Sequence, residues 1–397
     1  MDFKLISFKF YFMQKYLILF IAFFLLNACI SKNSKNSEKF NSDLIELSME
    51  NFVAQNPIET CQDKIKVLPL QTDTNCLMGY IQKIEILDST IFILDVNHTL
   101  FVYKMDGSFV YKVSATGRGP KEISRLGGFY INGHKKYVGI WDNLKFKMFK
   151  YDYQGKLLDI VDCGNKLFYA AKEIKMIDKN RLLLTLSYDP GITSSYVSIN
   201  CSDYTVDKKY FLYPYRWKTS SSGFNNLMQA RNNAGHYVVN MLSDTVYQYV
   251  NENFIPRFVL KSHKNKTLKN KLDHVTDYSD IVSYTRSRNI SPGLMSIAMT
   301  DSICCVEYRC NQEWNYVFWN LYTYRGAYTS FSYRDRLNVF KNFDIKATTG
   351  PYFVSFVLPC NLDLKKIAEK CSLEVVNILS VVKEEDNPVL VFYPIYV

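Results

Sequence analysis

The chain has 397 residues, of which 48% are hydrophobic and 15% aromatic, and it carries 48 Lys and Arg against 38 Asp and Glu, a formal charge of +10. That apolar content excludes a disordered chain and is enough for a sizeable core. The basic surplus is mild, and its clearest stretch, Lys261 to Lys271, has no interleaved aromatics to stack on bases, so nucleic acid is excluded as a partner.

At the amino terminus, Met13-Gln14-Lys15 is a short basic start and Tyr16 to Leu26 an almost unbroken apolar run. As a helix the run rises only about 16 Å, roughly half a bilayer's hydrocarbon thickness, which suits a signal-peptide core and not a permanent span. Met13 is the more ordinary start for such a peptide. Leu26-Asn27-Ala28-Cys29 then places an aliphatic residue three before a cysteine and a small residue directly before it. This resembles the lipobox of bacterial lipoproteins. The resemblance implies cleavage before Cys29, acylation of Cys29, and stable attachment to a membrane through several lipid chains. Residues 1–28 are therefore expected to be a signal peptide, and the polar residues 29–45 a lipidated, flexible tether. About 17 such residues would keep the body some 20 to 25 Å from the membrane on average. The expected address is the cell envelope, lipid-anchored to the outer membrane after export.

Residues 46–397 form the body, and the 30 Tyr and 27 Phe of the chain favour strands. Ile91–Asp95, Leu100–Tyr103 and Phe109–Val113 are short strand candidates, separated by Val96-Asn97-His98-Thr99 and by a turn at Asp106-Gly107. About 47 residues on, the order returns as Tyr137–Asp142, Lys147–Asp152, a turn at Gln154-Gly155, and Lys156–Val161. Asp95 and Asp142 fall at matching positions. A period in the forties built from short strands is the pattern of propeller blades, because one small sheet cannot bury its faces without neighbours.

Later units are more degraded: Arg181–Leu186 with Tyr196–Ile199, His236–Asn240 with Asp244–Tyr249, and Cys304–Tyr308 with Tyr316–Leu321. Units of this size leave room for six blades. Asp363 to Lys370 has helical spacing with Asn361 or Asp363 as a cap, predicting a short helix before the last strand. Val389 to Tyr396 is expected to pair with Ile65 to Leu70 and close the ring by joining the chain ends in one blade. The predicted fold is all-β, a six-bladed β-propeller with a short C-terminal helix before the last strand.

Ile93-Leu94-Asp95, Phe101-Val102-Tyr103, Asp106-Gly107 and above all Gly117-Arg118-Gly119-Pro120-Lys121-Glu122 resemble the six-bladed β-propeller lipoproteins of Bacteroides-type bacteria. Ser243-Asp244-Thr245-Val246-Tyr247 and the ending Glu385 to Tyr393 are similar to the same family. The resemblance spans most of the body and implies a fold and an address. It carries no biochemical activity.

Candidate chemistry is sparse. Of ten cysteines, Cys29 is assigned to lipid; the odd remainder has no C-x-x-C pair, so neither a disulfide scaffold nor structural zinc is expected. Those in apolar runs, such as Cys304 and Cys305, read as small core hydrophobes. Asp95 and Asp142 recur at one blade position, which suits fixing a turn better than acid–base work. His98, His134, His236, His263 and His274 show no metal-binding spacing, and no nucleophile elbow is present. No metal and no cofactor are expected.

Three candidate contacts remain. In the Gly117 to Glu122 loop, Arg118, Lys121 and Glu122 either present charge at one mouth of the channel, or Arg118 and Glu122 brace adjacent blades as an ion pair, which is the preferred reading. Tyr215, Arg216 and Trp217 fall in a loop between strands and are candidate exposed contacts. The aromatic run Trp314 to Arg325 reads as strand core before it reads as a stacking platform. The leading functional reading is a non-enzymatic envelope module that binds a glycan, a peptide or a partner protein. A propeller hydrolase or lyase with a site in the central funnel, and a structural subunit of an envelope complex, are the alternatives.

Overall fold

Short apolar runs bounded by tight turns become antiparallel hairpins, and four such strands make each sheet. In the first two units the turn before the outermost strand carries Gly107 (φ +84°) and Gly155 (φ +87°), a left-handed conformation that only glycine adopts without strain. Each is also packed from outside, since a Cβ would meet the Pro69 carbonyl at Gly107 and the Tyr111 ring at Gly155.

The computed structural model describes residues 44–397 apart from 165–166, 188–190, 213–228, 241–242, 262–290, 292, 311–312 and 332–343. Cys29 and most of the tether, Tyr215, Arg216, Trp217, and the basic stretch beyond Lys261 lie outside the described residues.

The described strands form six sheets arranged as the blades of a propeller. The innermost strands, in chain order, are Ile81–Leu87, Leu126–Asn132, Ala171–Met176, Gln229–Asn232, Leu294–Met299 and Ala347–Thr349. Each blade then runs outward through successive antiparallel neighbours. Burial follows position. Middle strands such as Thr90–Asp95 and Tyr137–Asp142 are buried along nearly their whole length, because neighbouring blades cover both faces. Outer strands such as Leu157–Asp162 and Val206–Leu212 are largely exposed. Apolar clusters fill the seams between blades. Phe92, Val102, Phe129 and Phe149 join the first and second, Trp141, Ile174 and Tyr204 the second and third. Ile84, Phe101, Val354 and Leu390 join the sixth to the first.

The recurring aspartates fix loops. Asp95 accepts backbone N–H bonds from Gly79 (2.9 Å), Asn97 (3.0 Å) and Thr99 (2.9 Å), and Asp142 from Ser124 (2.6 Å), Leu144 (2.9 Å) and Lys145 (3.0 Å). Each therefore ties the turn that follows its own strand to the loop that enters the same blade. The turn-fixing role expected from their repetition is what the geometry gives.

The ring closes as expected: Val389–Tyr393 lies antiparallel to Lys66–Pro69, with Val389 opposite Pro69 and Val391 opposite Val67. The amino-terminal stretch also crosses the outside of two other blades. Ile45–Ser48 adds a parallel strand to the outer edge of the fourth blade and Val53–Ala54 one to the fifth, before the chain enters the sixth. The expected helix is present as Leu364–Lys370, capped by Asp363. A second helix, Leu373–Ser380, capped by Ser372, was not expected. Its Val375 and Leu379 pack beside Ile367, Ile65 and Val67. The eight described cysteines that can be assessed are unpaired, and Cys304 and Cys305 are buried core residues.

Candidate functional site

The central channel is built from the six innermost strands, whose alternate residues face the axis. On two of them, and on the segment leading into the sixth, an acid and a base flank a buried isoleucine: Lys83 and Glu85 around Ile84, Glu173 and Lys175 around Ile174, Asp344 and Lys346 around Ile345. A strand places residues i and i+2 on the same face, so each pair meets directly. The N–O distances are 2.6, 3.2 and 2.7 Å. Lys83 also donates to the Phe129 carbonyl (3.1 Å) and Lys175 to the Gln229 carbonyl (3.2 Å), each reaching the next blade. Burial works against the charge on Lys175, but Glu173 and Glu85 together outweigh it and hold its pKa above the ordinary lysine value.

Where these strands end and turn outward, the channel opens into a funnel of about 540 Å³. Glu85, Lys175, Arg231, Asp301, Lys346 and Thr348 are among its lining, so all but the second blade contribute a polar side chain from this set. The second blade supplies Ile131 and His134. Behind the wall, the His236 Nε2 lies 3.0 Å from Gln229 Oε1, while the Gln229 amide nitrogen donates to Thr185 Oγ1 (2.6 Å) and the Leu183 carbonyl (3.3 Å). Burial, and then Lys175 and Arg231 nearby, push the His236 pKa well below its ordinary 6.5. The ring is therefore neutral, with Nε2 as the donor and Nδ1 without a hydrogen-bond partner among the described residues.

That burial has a measurable consequence. The unfolded chain takes up a proton on this histidine near pH 6.5 while the folded chain does not, so its contribution is complete above that pH and declines as pH falls below it. The decline is up to about 1.4 kcal/mol per pH unit within the window between the two values. Urea unfolding at pH 7.5 and pH 5.0 should show a smaller acid loss for His236→Gln than for the unaltered protein. Equal losses would mean that His236 is not protonated on unfolding.

The Gly117 to Glu122 loop stands elsewhere. It precedes the innermost strand of the second blade, about 20 Å from the funnel at the strand rise of roughly 3.3 Å per residue, and none of Arg118, Lys121 and Glu122 lines the cavity. Glu122 turns back on its own loop, its Oε2 accepting from the Gly119 N–H at 2.7 Å. Lys145 holds the loop through the carbonyls of Gly119 (2.7 Å) and Glu122 (2.6 Å). The preferred Arg118–Glu122 ion pair between adjacent blades is absent; Glu122 is bound within its own loop, and Lys145 ties that loop to a turn of the second blade. In the aromatic run, Tyr316, Phe318 and Trp319 are core as expected, but Tyr322 is 74% exposed. The described histidines do not converge: His98 sits in a turn, His134 lines the funnel and His236 is buried. The channel pairs were missed in the sequence, although Lys-Ile-Glu, Glu-Ile-Lys and Asp-Ile-Lys are visible once the first strand of each unit is known.

A family model described as a domain of unknown function, DUF4934, matches residues 44–394, nearly the whole described body. The chain belongs to the DUF4934 family. Among solved structures, this DUF4934 member is similar to a Bacteroides fragilis protein described as exported, with a TM-score of 0.70, 17% identity, and coverage of 89% of this chain and 100% of that one. It is also similar to a DUF4221-family member from Bacteroides vulgatus, with a TM-score of 0.50, 10% identity, and coverage of 84% and 96%. At these identities the likeness establishes the propeller fold alone. A search of curated proteins returns no match. Among the described residues of this family member, no helix is long and apolar enough to cross a membrane.

Proposed function

We propose that the protein is a non-enzymatic binding module of the cell envelope, anchored by lipid on Cys29, that holds its ligand in the funnel at the end of the channel. The observation that carries this reading is a cavity of about 540 Å³ whose charged lining is fixed before any ligand arrives. Lys175 and Lys346 are each held by an acid two residues earlier in the chain, and such preorganised polar groups favour binding because little ordering remains to be done. The direction of the Lys175 pKa argues for binding over catalysis. A lysine that acts as base or nucleophile needs its pKa depressed, and this one is raised.

Calorimetric titration of the purified protein against a panel of neutral oligosaccharides, acidic oligosaccharides and short peptides tests the proposal. At least one class should bind without being converted, and Thr348→Trp, which fills the funnel from the sixth blade, should abolish that binding while leaving the unfolding midpoint in place. In the same cells Cys29→Ala should leave the membrane fraction and remain folded. A panel without a binder, binding untouched by Thr348→Trp, or a Cys29→Ala chain still in the membrane would each overturn the corresponding part.

A further inference from the structure

One stretch of the funnel wall differs from the rest in its ion pairing: neither Arg231 nor Asp301 has an ion-pair partner among the described residues. Three lysines of the lining are matched by acids: Lys175 by Glu173, Lys346 by Asp344, and Lys136 by Asp88. Arg231, on the innermost strand of the fourth blade, is exposed and has no acidic partner among the described residues. The wall beside it is held by hydrogen bonds to the fifth blade, from the Asn233 N–H to Asp301 Oδ1 (3.2 Å) and from Asn232 Nδ2 to the Thr300 carbonyl (3.3 Å).

The same aspartate anchors an aromatic side chain. Tyr322 donates its hydroxyl to the Asp301 carbonyl at 3.2 Å, yet its side chain remains open to solvent. A tyrosine normally buries its ring and leaves the hydroxyl wet. Here the hydroxyl is the anchored end and the ring is the free one. An anchored, exposed ring thus belongs to the fifth-blade turn held against Asp301, a funnel residue that also accepts from Asn233 two positions after Arg231, and the neighbouring sixth blade offers Thr348 and Thr349 to the same cavity.

We infer that the funnel takes an acidic oligosaccharide, with a uronate carboxylate on Arg231 and a pyranose face against Tyr322; this rests on the binding reading above. The planar fork of arginine matches a carboxylate through two parallel hydrogen bonds. A single unmatched cation suits one carboxylate, whereas a phosphate, with its higher charge, calls for more than one. The ring supplies an apolar face for a sugar, and the threonine hydroxyls are groups that bond sugar hydroxyls. A cavity of about 540 Å³ falls within the range of roughly 300 to 1,000 Å³ that encloses small ligands, enough for about two or three sugar rings.

Calorimetry on the full chain with tri-galacturonate, and with the neutral galactose trisaccharide of the same linkage, tests the inference. Tri-galacturonate should bind at least tenfold more tightly than the neutral sugar. Arg231→Gln should remove that preference by weakening the acidic sugar alone, and Tyr322→Ala should weaken both sugars about equally. Both side chains are exposed, so circular dichroism and the unfolding midpoint should not move. Equal binding of the two trisaccharides, or a preference that survives Arg231→Gln, overturns the acidic-sugar assignment. So does binding of a short peptide with a free C-terminal carboxylate in place of tri-galacturonate; either result leaves the funnel reading intact if Thr348→Trp abolishes it. Absence of any ligand sensitive to Thr348→Trp overturns the funnel reading itself.

Discussion

Deleting Val389 to Val397 should abolish cooperative unfolding. The strand Val389–Tyr393 stands between Tyr352–Val357 and Lys66–Pro69, so its loss removes two ladders at once and detaches the outer strand that the amino-terminal part of the chain contributes. All five of its side chains are buried, with Val389, Leu390 and Val391 fully enclosed. At about 1.5 to 3 kcal/mol for each buried side chain of this size, the loss is on the order of 10 kcal/mol, comparable to a typical net stability of about 5 to 15 kcal/mol. The damage would extend beyond the sixth blade, because Leu390 and Phe392 also pack against Ile84 and Phe101 of the first. Urea denaturation followed by circular dichroism and tyrosine fluorescence checks this. A truncated protein that unfolds cooperatively at the original midpoint would show that the ring does not depend on this closure.

Replacing Asn387 by alanine should lower stability by about 2 to 6 kcal/mol, taking roughly 1 to 3 kcal/mol for the Met78 N–H left without a partner and roughly 0.5 to 1.5 kcal/mol for each of the two donated bonds lost. Asn387 is 2% exposed and joins the closing blade to the loop that enters the first. Its Nδ2 donates to the carbonyls of Gln71 and Cys76, both at 2.8 Å, and its Oδ1 accepts from the Met78 N–H at 3.0 Å. Its own N–H donates to Thr72 Oγ1 at 2.9 Å. Alanine keeps only the last of these. Asn387→Asp separates the hydrogen bonds from packing: a carboxylate still accepts from Met78 but faces the two carbonyls it can no longer satisfy, so it should also be destabilising at neutral pH. An unfolding midpoint within error of the original for both variants would mean that the loop is held by other contacts.

The segment around Asn387 illustrates how far the sequence carries. Its likeness to a family ending marks it, but nothing local says that one amide spans three loop residues more than 300 positions away in the chain. The same contrast holds at the candidate site. The period set by Asp95 and Asp142, and the apolar runs between glycine turns, make the blades legible because each blade repeats a local pattern. The funnel residues do not repeat: acid–base pairs occupy two innermost strands and the segment leading into the sixth, Gln229 and Arg231 a further strand, and apolar residues the others. The Gly117 to Glu122 loop drew attention because glycine, proline and charge are conspicuous in a row, yet Glu122 and Lys145 bind its backbone and it lies at the opposite end of the innermost strand from the funnel.

By itself the sequence determined the strand class, the period, the number of blades, the turn-fixing aspartates and the closure by the chain ends. All of these follow from short-range rules: alternation, turn chemistry, and the need of each small sheet for neighbours on both faces. Tertiary structure alone decided that Lys175 keeps its charge in the channel, that His236 stays neutral behind it, that Tyr322 is exposed while Trp319 is enclosed, and that Arg231 is left without an acid among the described residues. Those outcomes depend on which side chains six separate strands bring to one axis, and electrostatic and burial energies act through space between residues that are remote along the chain.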